Sequence, residues 1–222
     1  MAILLSRNDL SSILTMKAVM GAVEEGFRQL AIGTVNMPIR SVIRIEKYKG
    51  LIVYMPAYVG GNDALAVKVA SSYPDNPMNH NLPTVLGTVL LNDPRTGQLV
   101  CIMDGNFITA MRTGAVSGVA TKYLARKNAR VVGIFGCGMQ ARTQLMAINE
   151  VRKLECAKAY DVVTKTRDKF CEDMGRELGI QLVPVDDPED SVIHSDIIVT
   201  STVSKKPVFN GKWLENVRIS TE

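Results

Sequence analysis

The sequence predicts an α/β protein of two domains: an N-terminal α+β domain built on a mostly antiparallel sheet, and a C-terminal domain built on a parallel sheet. Two patterns predict this class. Short apolar segments separated by turns fill the first half of the chain, whereas strands and helices alternate through the second half. With 222 residues and 46% hydrophobic content, the chain is long enough for two small cores. We place the boundary within the helix that joins the halves, which gives domains of residues 1–115 and 116–222.

The first half opens with an amphipathic helix. Thr15 is a suitable N-cap and Gly33 a suitable stop, and apolar residues recur between them at helical spacing. The members of this stripe are Met16, Val19, Val23, Phe27 and Leu30. Short strands are expected next, at residues 40–45, 51–55, 65–69, 85–91 and 99–103. Turns at residues 49–50 and 92–97 separate some of these strands and favour antiparallel pairing.

The second half begins with a helix of small residues that we expect to start at Thr109 and to end near Lys127. The expected strands after it are residues 130–135, 157–161, 180–183 and 196–200. Helices are expected between them, at residues 141–151, at residues 166–178 and, briefly, after Pro188. This alternation indicates βαβ units, and therefore a parallel sheet.

Composition and charge narrow the class of protein. Lys and Arg number 26 against 22 Asp and Glu, and the surplus is spread along the chain. This balance suits anionic small molecules, and no aromatic-and-basic motif supports a nucleic-acid partner. The four cysteines form no CxxC pair and the two histidines lie far apart in sequence, so no metal site is predicted. No segment has the length of a signal peptide or a membrane span, so we expect a cytoplasmic protein with free thiols.

A glycine turn in the second half carries the first functional motif. A predicted strand leads into Gly136-Cys137-Gly138-Met139-Gln140-Ala141, and a helix follows. This is the order of the dinucleotide fingerprint: Gly136 allows the tight turn, Gly138 lets the backbone approach a pyrophosphate, and Ala141 lets the helix pack on the strand. The N–H groups of the helix N-terminus would then face the phosphates. Such turns also occur for packing reasons alone, so the motif needs further support.

Asp161 supplies that support. It ends the next predicted strand, about 20 residues after Ala141, where a carboxylate accepts hydrogen bonds from the adenosine ribose. Alone, it would be interpreted more simply as a surface residue at a strand end. A carboxylate at this position repels a 2′-phosphate, so NAD is the expected cofactor rather than NADP, although Lys165 and Arg167 lie nearby in sequence.

The motifs around this turn resemble the central signature of the ornithine cyclodeaminase/mu-crystallin family. They are residues 103–105, 109–115 and 122–127, followed by the fingerprint itself. Similar stretches at residues 37–40, 55–57, 82–85 and 196–200 extend the resemblance over nearly the whole chain. Within the family, the sequence looks closest to the archaeal-type alanine dehydrogenases.

The resemblance implies a Rossmann-type NAD-binding domain behind an N-terminal domain that carries catalytic residues and forms a homodimer. Arg40 and Lys68 match the family's substrate-binding and catalytic arginine and lysine. Arg112 matches an arginine between substrate and cofactor. The other positions that match dinucleotide contacts are Thr84, Met139, Gln140, Asp161 and Thr202.

The local patterns around the three basic residues are compatible with these roles and with simpler ones. Strand alternation puts Lys68 between Ala66 and Ala70, where a solvated lysine is the simpler interpretation. The resemblance instead favours a partly desolvated lysine suited to proton transfer near neutral pH. Arg112 is expected in the first turn of its helix, where the helix dipole disfavours a cation, which hints at a binding role. Arg40 is equally consistent with an exposed strand residue, but paired guanidinium groups would suit the carboxylate of an amino acid.

The implied activity is that of an NAD-dependent oxidoreductase or deaminase acting on a small L-amino acid. In an alanine dehydrogenase, hydride leaves Cα, water attacks the resulting imine, and ammonia departs to give pyruvate. The alternative is an ornithine cyclodeaminase, in which the side-chain amine attacks, ammonia leaves, and the returned hydride gives proline. A non-catalytic, mu-crystallin-like cofactor-binding protein is a third possibility, which Asp161 disfavours because that branch uses NADP.

The resemblance also implies a difference at the C-terminus. Family members usually continue from a Gly-Lys-Trp-Leu-like segment into a further strand and a catalytic aspartate, whereas this sequence stops at residues 217–222. We therefore expect a truncated second domain with an exposed sheet edge that promotes association. Weak NAD binding and little turnover are expected for the same reason.

Overall fold

The computed structural model describes residues 1–216 and divides into two compact units, the first from Met1 to Thr109 and the second from Ala110 onward. The division falls within the joining helix, whereas the sequence analysis placed it after residue 115. Residues 217–222, where the sequence analysis places the truncation and the exposed sheet edge, lie outside the described residues. None of the helices in residues 1–216 combines the length and apolar character needed to cross a bilayer.

The first unit contains a seven-stranded sheet. Its strands are β1 (Ile3–Leu5), β2 (Val35–Asn36), β3 (Ser41–Ile45), β4 (Gly50–Val59), β5 (Ala64–Ser72), β6 (Val85–Asn92) and β7 (Leu99–Asp104). The order is β1-β7-β6-β5-β4-β2, and β3 pairs with β4 beside β2. Only the β1–β7 pair is parallel, so the expectation of a mostly antiparallel sheet is confirmed.

The sheet has a gap opposite Pro56. Strand β3 pairs with β4 as far as Tyr54, and β2 pairs with β4 from Tyr58 onward. Pro56 therefore has no paired residue on the side of β4 that faces β2 and β3. A proline fits at such a position because it has no N–H to donate to a neighbouring strand. The chain between β2 and β3, which ends in Arg40, passes this gap.

Three helices accompany this sheet: α1 (Arg7–Ile13), α2 (Met16–Ala31) and α3 (Asn76–Asn79). Thr15 caps α2 as predicted, because its side chain accepts a hydrogen bond from the Ala18 N–H at 3.2 Å. The predicted apolar stripe is only partly correct, since Phe27 and Leu30 are each 48% exposed. Gln29 is buried there instead, held by its hydrogen bond to Glu25 at 2.6 Å.

The second unit contains a four-stranded parallel sheet, which confirms the predicted α/β class. Its strands are β8 (Val131–Phe135), β9 (Cys156–Tyr160), β10 (Gln181–Pro184) and β11 (Ile197–Thr200), in the order β10-β9-β8-β11. Helices α5 (Met139–Val151), α6 (Thr164–Leu178) and α7 (Pro188–Val192) connect the strands, and α4 (Gly105–Leu124) leads in from the first unit. The chain steps outward from β8 to β9 and β10, then crosses back to β11. A crevice forms at such a reversal, beyond the carboxyl ends of the strands.

The core of the second unit holds this crevice rigidly. Phe170, Ile134, Leu145 and Met174 are fully buried between the sheet and its helices. Ala141, predicted as the small residue that lets helix and strand approach, is also fully buried. Protein interiors of this density change shape little, so the strand ends that form the crevice are fixed in place.

Candidate functional site

The glycine turn follows β8 directly and has room only for glycine at residue 136. Gly136 has a φ of +84°, and a Cβ at this position would lie 2.8 Å from the carbonyl oxygen of Ser201. The Gly136 N–H donates to the Tyr160 carbonyl at 2.9 Å, which ties the turn to the end of β9. The predicted tight turn is therefore present, and its shape is fixed by both neighbouring strands.

The N-terminus of α5 opens next to this turn. Gly138 is the N-cap residue and supplies no side-chain cap, and a Cβ there would meet nothing within 4 Å. The first N–H groups of a helix have no partner within the helix, so those of α5 are available to an anion. Met139 and Gln140 are the first two residues of α5, which begins two residues before the start expected at residue 141. Within the described residues, the buried Oε1 of Gln140 accepts no hydrogen bond.

Asp161 lies against the glycine turn. Its Oδ2 accepts a hydrogen bond from the Cys137 N–H at 2.7 Å, and its Oδ1 accepts one from the Val163 N–H at 2.8 Å. Two backbone donors therefore fix the carboxylate at the end of β9. Each oxygen keeps a further lone pair that can accept a hydrogen bond from a hydroxyl.

The Cys137 side chain adds no charge to this region. The residue is 2% exposed, and burial, followed by the charge of Asp161, raises the pKa of its thiol to about 12. The thiol is therefore neutral at pH 7. A neutral group at this point of the turn does not repel a phosphate.

A cavity of about 570 Å³ joins these elements. Gly136, Gly138 and Asp161 line one part of it, and Thr202 lines another. The remaining lining includes apolar side chains after β11, namely Val203, Pro207 and Val208. Its volume is in the range of ligand pockets, and an apolar slot beside a carboxylate suits a flat ring joined to a sugar. The sequence analysis missed these apolar residues, although they stand out in an otherwise polar loop.

The first unit places Lys68 on a face of short and apolar side chains. The predicted alternation is correct, since β5 pairs with β4 and β6 without a bulge at this position. Met55 and Val89 are the cross-strand neighbours of Lys68 on the same face. Lys68 is half-buried, and its Nζ donates to Thr109 Oγ1 at 3.4 Å. These surroundings differ from those of a fully solvated surface lysine.

Arg40 lies directly before β3 and is not itself paired in the sheet register. Ser41 pairs with Tyr54, so a strand continued back by one residue would bring Arg40 opposite Met55, the cross-strand neighbour of Lys68. Positions two strands apart are separated by about 10 Å. Arg40 is exposed and follows the gap in the sheet. Thr84 lies elsewhere, just before β6, where its carbonyl accepts a hydrogen bond from Tyr73 N–H at 2.8 Å.

Arg112 is not in the first turn of its helix, which corrects the sequence analysis. Helix α4 begins at Gly105, four residues before the predicted start at Thr109, so Arg112 is in the third turn. Asp104 supplies the start, because its Oδ1 accepts a hydrogen bond from the Phe107 N–H at 2.7 Å. The helix-dipole argument therefore does not apply to Arg112, which is exposed and belongs to the second unit.

Comparison with known proteins supports a common origin for these features. The model of the ornithine cyclodeaminase/mu-crystallin family matches residues 2–219. An alanine dehydrogenase of Archaeoglobus fulgidus is 40% identical over 216 residues, which cover 96% of this chain and 64% of that protein. The chain thus spans slightly less than two thirds of the length of this relative.

Two solved structures resemble the fold closely. The Delta(1)-pyrroline-2-carboxylate reductase of Thermococcus litoralis, in complex with NADH and L-proline, superposes with a TM-score of 0.90 at 49% identity. The match covers 95% of this chain and 65% of that one. An archaeal alanine dehydrogenase dimer with bound NAD superposes with a TM-score of 0.88 at 38% identity, covering 96% of this chain and 64% of that one.

Proposed function

Because the chain belongs to the ornithine cyclodeaminase/mu-crystallin family, we propose that it is an NAD-dependent oxidoreductase of a small α-amino acid or of the corresponding imine. The observation that carries the proposal is the cleft in which the Gly136–Gly138 turn, the uncapped helix N-terminus and Asp161 meet. The open space at Gly138 fits a pyrophosphate, and the fixed carboxylate fits the adenosine ribose. When bound, the nicotinamide ring supplies or accepts the hydride at the substrate Cα.

The charges near Asp161 favour NAD over NADP. Lys165 and Arg167 lie close in sequence and would be candidates to pair with a 2′-phosphate. Arg167, however, is 7% exposed, and its guanidinium already donates to Asp168, to Asp186 and to the Val185 carbonyl. The Arg167 guanidinium is therefore already paired within the protein and is not available to a 2′-phosphate. Of these two basic residues, only the exposed Lys165 is left to offset the charge of Asp161.

We expect Asp161→Ser and Asp161→Asn to shift cofactor preference toward NADP. Both variants remove the charge that repels a 2′-phosphate, and Asp161→Asn keeps an acceptor for the Cys137 N–H. The ratio of NADP to NAD affinity should rise by about 10-fold to 100-fold, as expected for the loss of a hydrogen bond to a charged group. Fluorescence titration with NADH and NADPH measures both affinities. If the ratio of NADP to NAD affinity stays at the wild-type value in both variants, Asp161 does not select the cofactor.

On the substrate side, we assign Lys68 to proton transfer and Arg40 to the substrate carboxylate. Arg40 directly precedes β3, two strands away from Lys68 in the sheet, and Lys68 has apolar neighbours that reduce its hydration. In the direction of reduction, the Lys68 ammonium gives a proton to the imine nitrogen while Cα receives the hydride, and an amine results. We assign Arg112, by its position in the family signature, to the carboxylate and the cofactor.

By identity, a cyclic-imine reductase is the first candidate among the specific activities, because the 49% identical structure is named as one. The alanine dehydrogenase expected from the sequence is the second, on the basis of the 40% identical relative. The ornithine cyclodeaminase alternative has weaker support, as a lysine cyclodeaminase among the solved structures is 29% identical. A relative in the crystallin branch is itself named a ketimine reductase, which favours a catalytic role over mere cofactor binding.

A panel of substrates followed at the NADH absorbance separates these activities. Alanine with NAD should yield NADH and pyruvate if the protein is an alanine dehydrogenase. A cyclic imine with NADH should consume NADH if the protein is an imine reductase. Ornithine should yield proline and ammonia without net NADH if it is a cyclodeaminase. In a protein that also carries the C-terminal strand and aspartate of the family, NADH binding without turnover of any of these compounds would favour the cofactor-binding alternative and contradict our proposal.

We also propose a homodimer formed through the sheet of the first unit. The register places Ile52, Val67, Leu90 and Ile102 together on the face opposite Lys68, an apolar surface suited to burial against another copy. The archaeal alanine dehydrogenase of similar fold is described as a dimer. Light scattering should give a mass of two chains, and a monomer at micromolar concentration would count against this assembly.

A further inference from the structure

Lys68 has a contact whose purpose the proposed chemistry does not explain. Its Nζ donates a hydrogen bond to Thr109 Oγ1 at 3.4 Å, which links the middle of β5 to the beginning of α4. The two residues are 41 positions apart in sequence, and both belong to the first unit. A contact over this separation requires the helix to be set on the sheet in one particular way.

Two glycines allow the start of α4 to pack closely on the sheet. Gly87 pairs with Ala70 and therefore lies on the same face of the sheet as Lys68. A Cβ at Gly105, the first residue of α4, would lie 2.5 Å from the backbone carbon of Gly87. Any side chain at residue 105 would push the helix off the sheet, so the start of α4 rests directly on β6.

Helical periodicity then brings Thr109 to Lys68. Thr109 follows Gly105 by four residues, so it lies one turn along the helix on nearly the same side. The Asp104 side chain fixes this turn by accepting from the Phe107 N–H. The cross-strand neighbours of Lys68 on its face are Met55 and Val89, which are apolar, and the Thr109 hydroxyl accepts a hydrogen bond from the Lys68 Nζ.

We propose that Thr109 is a positioning residue for Lys68: its hydroxyl holds the Lys68 Nζ at one place on the sheet face. The inference rests on the proposed proton-transfer role of Lys68. A lysine has a long flexible side chain, and an anchor at its end selects the orientation from which the proton is passed. The hydroxyl accepts from the ammonium and can donate to the neutral amine, so it serves Lys68 in both protonation states. Hydrogen bonds of this kind are often long before the substrate binds.

The effect of Thr109 can be read from the pH profile of turnover. A hydroxyl that accepts a hydrogen bond from the ammonium stabilises the charged form of Lys68, so removing the hydroxyl lowers the pKa of the lysine. The limb of the pH profile that is due to Lys68 should then move to lower pH. The other titratable or charged residues that the register places on this face of the described sheet are Arg44 and Cys101, and Arg40 directly precedes β3 beside them. Arginine is not deprotonated in proteins, and the thiol of Cys101 is buried. If a limb of the pH profile moves in a Thr109 variant and is lost in Lys68→Ala, that limb therefore reports the titration of Lys68.

The test compares Thr109→Val with Thr109→Ser in the active protein, using the best substrate of the panel. Thr109→Val keeps the shape and removes the hydroxyl, so kcat should fall about 10-fold to 100-fold with the KM for NAD unchanged. The pH limb should move down, and Thr109→Ser should restore most of kcat. Thr96→Val is the control, because Thr96 is an exposed residue of the turn between β6 and β7, and it should keep the wild-type profile.

The outcomes separate this inference from the proposed function. If Lys68→Ala loses turnover while Thr109→Val keeps the wild-type kcat and pH limb, the positioning role is wrong and the function of Lys68 stands. If Thr109→Ser is as impaired as Thr109→Val and both melt at lower temperature, the residue has only a structural role and the inference is also wrong. If Lys68→Ala itself turns over normally, the proposed function of Lys68 fails first.

Discussion

Lys68→Ala is expected to lower turnover by about 10²-fold to 10⁴-fold, the contribution of one well-placed acid or base. The affinity for NADH should stay close to the wild-type value, because the glycine turn and Asp161 belong to the second unit. The fold should also survive, since Ala66 and Ala70 already flank the position with methyl groups. Steady-state kinetics, NADH titration and thermal melting measure the three quantities.

Two further variants sharpen this experiment. Lys68→Arg keeps a positive charge but cannot release a proton in the working pH range, so it should be as inactive as Lys68→Ala. Lys17→Ala removes an exposed lysine of α2 in the same unit and should behave like the wild type. Loss of NADH binding together with turnover in Lys68→Ala would instead identify a structural or cofactor-binding lysine.

The two glycines of the turn should respond to alanine in opposite ways. Gly138→Ala adds a methyl group that meets nothing within 4 Å in the protein, so the melting temperature should hardly change. That methyl group would occupy the path of the pyrophosphate, and NADH affinity should fall by at least about 10-fold. Gly136→Ala forces a φ of +84° on alanine and a Cβ 2.8 Å from Ser201 O, which should cost about 1–3 kcal/mol of stability or more and abolish NADH binding.

Gly179→Ala is the control for this pair. Gly179 ends α6 with a φ of +65°, and a Cβ there would meet nothing within 4 Å. The substitution should lower stability by about 1 kcal/mol through backbone strain and leave NADH affinity unchanged. If Gly138→Ala binds NADH as tightly as the wild type, the turn is not the pyrophosphate site.

Local sequence signals predicted the second unit well. The strand expected at residues 157–161 is found at Cys156–Tyr160, and the helix expected at residues 166–178 is found at Thr164–Leu178. Gly179 ends that helix in the left-handed conformation, as its position predicts. These elements carry their own start and stop residues, so neighbouring chain was sufficient to place them.

Elements that depend on distant contacts were not predicted. Strand β1 has three residues and exists because it pairs with β7, about a hundred residues away. Helix α4 starts early because Asp104 caps it, a local signal that was not used in the prediction, whereas its close packing through Gly105 on Gly87 is a contact that no local pattern reveals. The buried face of α2 differs from the predicted stripe because Gln29 is fixed through Glu25 rather than by apolar packing.

The residues of the candidate site likewise divide into features that local patterns predicted and features that depend on distant contacts. Gly136, Gly138 and Asp161 were found from a motif whose geometry is local, and the face of Lys68 followed from strand alternation. The bond from Cys137 N–H to Asp161 could not be predicted, because it depends on where β9 ends relative to β8. The contact between Lys68 and Thr109 likewise requires the packing of α4 on the sheet.

Calorimetric titration of the unmodified protein with NADH and with NADPH tests the central claim most directly. The account predicts saturable binding of NADH, one molecule per chain, with an affinity clearly above that for NADPH, because the Asp161 carboxylate would repel a 2′-phosphate and Arg167 is already bound to the protein. Tighter binding of NADPH, or no binding of either dinucleotide to protein whose fold is intact, would contradict it.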